Sequence, residues 1–165
     1  MCLIFWHILD VFKVNKFHEK IPNLLMISIL MLIIIQIIFG AFLSGLDGGL
    51  IYNTWPDMNG GFFPDDVEFN AAINSQIFNN PSIVQFFHRI TAYLLLIFII
   101  ILNFIFIKKK NNIKNILFFD IAILIQIFLG IITLISGVEI KYASLHQLGS
   151  ILVLSSYFLL LYKNS

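Results

Sequence analysis

The stretch "VQFFHRITAYLLLIFIII", residues 84–101, decides how this chain is read. From Ile90 onward it is apolar enough to lie in lipid, yet an imidazole and a guanidinium, His88 and Arg89, stand at its head. A charged side chain inside a membrane segment costs about 2.5–3.5 kcal/mol on insertion scales, so such a group has either a task or water within reach.

Around that stretch the composition is of one kind. The chain has 165 residues, 59% hydrophobic and 12% charged, and its mean hydropathy is +0.95. Soluble domains carry about 25% charged residues. Four apolar segments stand out, at 24–46, 83–107, 116–138 and 143–162. Each reaches the roughly 20 residues a helix needs to cross the hydrocarbon, and lipid forces every backbone group to be satisfied internally. The reading is an all-α integral membrane protein, a four-transmembrane-helix bundle whose first partner is the lipid bilayer. A net charge of +1 with no basic, aromatic-interleaved patch gives no reason to expect nucleic acid, and the single cysteine, Cys2, has no internal disulfide partner.

The basic residues set the orientation. Lys13, Lys16 and Lys20 precede the first span; Lys108, Lys109, Lys110 and Lys114 lie between the second and third; Lys163 ends the fourth. The connection 47–82 carries Asp47, Asp57, Asp65, Asp66 and Glu68 and no Lys or Arg. By the positive-inside rule both termini are cytoplasmic (matrix-side in a mitochondrion), and the acidic connection is external, in a multi-pass inner-membrane protein. Residues 1–23 form a cytoplasmic segment ahead of the membrane domain, 24–165. Within it, "MCLIFWHILDVF" (1–12) is too short to span, and it lacks the basic start and small-residue cleavage site of a signal peptide. It reads either as an interfacial helix or as the tail of a helix that begins before this chain. His7 and His18 fall in this segment and read as solvated.

The first and third spans share a pattern, "IIIQIIFG" (33–40) and "ILIQIFLG" (123–130), which pairs Gln36 and Gly40 with Gln126 and Gly130. Each is followed by a span with an early histidine, His88 and then His146, so the bundle reads as two helix-pair repeats. His88 lies 20 residues before Lys108 and His146 lies 17 before Lys163. At 1.5 Å per residue both imidazoles sit about 25–30 Å from the lysine-bearing face. A lone histidine near a membrane helix end is more often a packing or interfacial residue; two at matched depth on alternate helices suit the axial ligation of a haem iron. Arg89 serves either as an interfacial anchor or as a bidentate partner of a haem propionate, and Lys141 is open to the same pair of roles. Asp120 reads as interfacial, close to Lys114.

"GLDGGLIYNTWPDMNG" (45–60) is, on its own chemistry, a Gly-, Asn- and Pro-rich turn with interfacial aromatics. It also resembles a segment of the haem A synthases, through Gly45, Leu46, Gly49, Tyr52, Asn53, Thr54, Trp55, Pro56, Met58 and Gly60. "NPSIVQFFHRITAY" (80–93) and "QIFLGIITLISGVEIKYASLHQLGS" (126–150) are similar to two further segments of that family, in the same order. The resemblance runs from Asn23 to the C-terminus and covers the second, C-terminal half of an eight-helix enzyme. It implies that His88 and His146 ligate haem b, and no residue of this half is assigned a catalytic role; Arg89 and Lys141 near the cofactor remain a reading from their own chemistry. The complete enzyme would take haem O as substrate and oxidise its methyl group to the formyl of haem A, for cytochrome oxidase. A separate N-terminal half or a second copy would then be the protein partner. Glu68 lies outside the family's motif for an essential glutamate and is given no role. The alternatives are a four-helix b-type cytochrome for electron transfer, and a haem-free remnant or assembly protein.

Overall fold

A computed structural model of the chain describes residues 2–67 and 78–165. Glu68 therefore lies outside the described residues. The architecture is all helical: α1 (Cys2–Val11), α2 (Asn23–Gly45), α3 (Pro81–Lys108), α4 (Lys114–Ile135) and α5 (Ile140–Asn164). The last four are each long and apolar enough to cross a membrane. Among the described residues, the only β-type pairing is an isolated bridge between Met58 and Gly61.

The helix ends have local causes. α3 starts at Pro81, two residues before the expected start, because Pro at the first helical position loses no hydrogen bond there. Asn80 also caps it, its side-chain oxygen accepting from the Ile83 amide at 3.1 Å. α4 stops at Ile135 rather than 138, where Gly137 takes a φ of +69°. That left-handed geometry suits glycine beyond a helix end. The turn is tight enough for α5 to start at Ile140, three residues earlier than the apolar pattern suggests.

α2 runs along α3 and α4 along α5, and the two pairs meet through α2 and α5. The packed core lies in the half of the bundle nearer the lysine clusters, around Met26, Ile29, Leu102, Phe106, Phe119, Tyr157 and Leu160. Buried polar bonds fasten that end. Tyr157 Oη donates to the Met26 carbonyl at 2.7 Å, and Asn164 both accepts from the Ile21 amide (2.7 Å) and donates to its carbonyl (3.1 Å). α1 packs against the end of α5, with Trp6 edge-on to Tyr162 and Tyr162 Oη donating to Asp10 at 2.7 Å. His7 and His18 are exposed.

Toward the other end close packing is confined to the start of α3 and the connection before it, where Tyr52, Met58, Ile83, Val84 and Gln85 are buried. No residue of α2 after Ile33, of α4 after Ile123 or of α5 before Val153 is fully buried. His88 and His146 both lie in this half.

Candidate metal centre

His88 is in the second turn of α3 and His146 in the second turn of α5. Each meets the same two residue types on the neighbouring helix. Gln36 Nε2 donates to the His88 carbonyl at 2.8 Å, and Gln126 Nε2 donates to the His146 carbonyl at 2.9 Å. One helical turn further on, a glycine faces the ring, and only at Gly130 would a side chain crowd it. A Cβ placed on Gly40 would lie 3.6 Å from His88 Cε1, and one on Gly130 would lie 2.9 Å from His146 Cε1. Four residues separate glutamine and glycine, so both project from one face of their helix. One anchors the histidine backbone while the other faces the imidazole.

The Gln36 amide also donates to Thr91 Oγ1, a hydroxyl that bonds back to the Phe87 carbonyl at 2.7 Å. On the other side Gly149 leaves passage for the Gln126 side chain, because a Cβ there would overlap Gln126 Oε1. Neither Thr91 nor Gly149 was singled out by the sequence reading, although Thr91 and Gly149 each stand three residues after a histidine.

His88 and His146 each keep Nδ1 buried without a hydrogen-bond partner. An unmade hydrogen bond on a buried polar atom costs about 1–3 kcal/mol, so neither ring is held by a hydrogen bond of its own through that nitrogen. No third His, Cys, Asp or Glu joins them among the described residues. Two imidazoles in an apolar surround, on alternate helices and with no carboxylate or thiolate beside them among the described residues, have the donor chemistry that suits a haem iron.

The two cations expected near the cofactor are placed differently from the histidines. Arg89 is buried, 9% exposed. Its Nη1 donates to the Asp57 carbonyl at 2.7 Å and its Nη2 to the Tyr52 carbonyl at 3.1 Å. The guanidinium thus clamps the long connection onto α3, and Nε is left unpaired. Gln85, one turn earlier, adds a bond to the same Tyr52 carbonyl at 3.1 Å. Lys141 is exposed at the start of α5, paired with Glu139 at 2.7 Å and lying over the Tyr142 ring. Asp120 makes no ion pair with Lys114; it accepts from Asn103 of α3 at 3.0 Å.

The clamped connection is a folded element. Tyr52 is buried, and its hydroxyl donates to Asp65 and Asp66 at 2.6 and 2.7 Å. Burial first, then these two bonds, push the phenol well above the ordinary tyrosine range. Asn53 donates to Gly49 and Leu134 carbonyls at 2.8 and 2.9 Å, tying the connection to α4. A cis Trp55–Pro56 bond and the Met58–Gly61 bridge complete the reversal.

A sequence model of the family described as cytochrome oxidase assembly protein matches residues 1–158. The chain belongs to that family. Its relatives include a protein named haem A synthase from Pelagibacter ubique (strain HTCC1062), 73% identical over the whole chain and 49% of the relative. A haem A synthase of Wolbachia pipientis wMel is 44% identical over 79% of the chain and 37% of its own length. One of Rickettsia bellii (strain OSU 85-389) is 41% identical over 86% of the chain and 42% of its own length. The chain thus spans about half the length, or less, of these family members. No solved structure matches it.

Proposed function

We propose that this chain is the haem b-holding C-terminal half of a haem A synthase. The observation that carries the reading is the duplicated cradle, Gln36 and Gly40 about His88 and Gln126 and Gly130 about His146. In this reading the cradle expresses two helix-pair repeats, and His88 and His146 are the axial ligands. A haem held by two histidines has no open iron position, so when bound it supplies electron transfer and not substrate chemistry.

The protein's own groups do the positioning. Gln36 and Gln126 fix the backbone at each histidine. Arg89 and Gln85 hold the Tyr52–Asp57 backbone against the start of α3, beside His88. Two of the five N–H donors of Arg89 serve the loop carbonyls, which leaves Nε and the second N–H of each Nη for a propionate. Lys141 meets one by exchanging Glu139 for it. The charge pattern supports an orientation with the histidines toward the external face and both termini in the cytoplasm, and the reading takes the membrane to be the inner one.

The oxidation of the haem O methyl group to the formyl of haem A for cytochrome oxidase belongs to the longer protein. This half supports it together with an N-terminal half or a second copy. The test is complementation of a strain that lacks its own synthase. Co-expression with the N-terminal half of the Pelagibacter relative should restore haem A, and this chain alone should not. Haem A formed by this chain alone would overturn the division of labour.

A further inference from the structure

Asp120 is the one Asp or Glu within the four spanning helices. It stands six residues into α4, about 9 Å from Lys114 along the axis. A carboxylate at that depth is costly and by default marks function. Nothing basic offsets it. One oxygen accepts from Asn103 Nδ2 at 3.0 Å, and the same amide nitrogen donates to the Ile99 carbonyl at 3.1 Å. Two acceptors, Asp120 Oδ2 and Asn103 Oδ1, have no donor among the described residues, and neither is sealed from its surroundings.

Both residues line a cavity of about 160 Å³ between α3 and α4, whose other walls are Leu96, Ile99, Ile123 and Leu124. Ile99 and Ile123 belong to the core, whereas Leu96 and Leu124 are exposed on the outer faces of their helices. The cavity is therefore a wedge that opens toward hydrocarbon and has two hydrogen-bond acceptors in its wall. An apolar protein cavity of about 150 Å³ holds a benzene ring. Small-molecule sites combine such an apolar wall with a few placed polar groups.

We propose that this wedge binds the ring of a tail-bearing, ring-hydroxylated membrane lipid of the hydroquinone class. The ring lies against Leu96, Ile99 and Ile123, and one hydroxyl donates to Asp120. The tail leaves past Leu124 into the bilayer. The site is separate from the histidines: Leu96 is eight residues from His88, about 12 Å along α3.

The test uses the full chain in phosphatidylcholine nanodiscs, kept reduced, with an azido-ring hydroquinone as photolabel and mass-spectrometric mapping. Saturable labelling confined to residues 96–124 is expected, displaced by decylhydroquinone and not by decylbenzene. Asp120→Asn replaces an acceptor with a donor in the same shape. It should weaken decylhydroquinone at least tenfold while leaving the oxidised decylquinone no weaker. Asn103→Leu provides a second variant should the first fail to fold. Labelling spread over all lipid-facing helices, equal displacement by decylbenzene, or unchanged decylhydroquinone binding in both variants would overturn the assignment.

Discussion

Replacing Gly130 by alanine separates a cradle from ordinary helix packing. The added methyl carbon would stand 2.9 Å from His146 Cε1, with Nδ1 at 3.4 Å and Nε2 at 3.5 Å. The obstacle is a ring, not the end of a flexible chain, so the imidazole or the helix must move. Overpacking of this kind costs about 1–3 kcal/mol. Against it stands the gain of about 1 kcal/mol that alanine brings over glycine in a helix. At Gly40 the corresponding carbon would be 3.6 Å from His88 Cε1, an ordinary contact. The two alanine variants should therefore diverge: Gly40→Ala keeps both stability and bound haem, whereas Gly130→Ala displaces His146 and lowers haem retention roughly tenfold, the factor of 1.4 kcal/mol. Haem content per purified chain, from the pyridine haemochrome, reads the first effect, and the thermal midpoint reads the second. Because His146 is the obstacle, the stability penalty of Gly130→Ala should vanish in a His146→Ala background, as a double-mutant cycle reports. Equal haem loss in both alanine variants, or a penalty that survives without His146, would refute the cradle.

Arg89→Lys keeps the charge but cannot serve the Tyr52 and Asp57 carbonyls together; limited proteolysis within residues 53–63 should speed up at least several-fold, with the helices intact by circular dichroism. Gln126→Leu removes one bond to the His146 carbonyl and should cost about 0.5–1.5 kcal/mol of unfolding free energy, measured in detergent denaturation. Tyr52 has its folded-state phenol pKa raised above the unfolded value, which is about 10. Its contribution is therefore complete below pH 10 and lost as pH rises above that. Tyr52→Phe should flatten the alkaline loss of loop protection and leave the neutral-pH spectrum of the haem unchanged. A reporter fused after Lys110 should read cytoplasmic and one inserted beside Glu68 external, and the reverse would undo the shared outer placement of the histidines.

The four spans and the two Gln-x-x-x-Gly segments were legible because apolar length and a short recurrence are local patterns. What those residues touch was not. That Gln36 reaches a histidine carbonyl depends on the distance between α2 and α3, which no spacing encodes. Arg89 shows the same limit. Its neighbours are set by the path of residues 52–58, and a chain reversal brings two carbonyls to a guanidinium that sequence alone leaves between headgroup and propionate. Asp120 illustrates a different failure. Six residues from Lys114 on a helix, it points away from it, since only positions three or four apart face each other. The carboxylate finds Asn103 across the bundle instead. The helix starts at Pro81 and Ile140 were missed by two and three residues because hydrophobic runs do not show a cap or a turn.

The central claim is that His88 and His146 together ligate one haem b. The most direct measurement is the low-temperature electron paramagnetic resonance and reduced-minus-oxidised absorption of the purified chain and its two alanine variants. The wild-type chain should show a single low-spin haem at one per chain, and His88→Ala and His146→Ala should each abolish the low-spin signal. A low-spin spectrum unchanged in both variants would contradict the account.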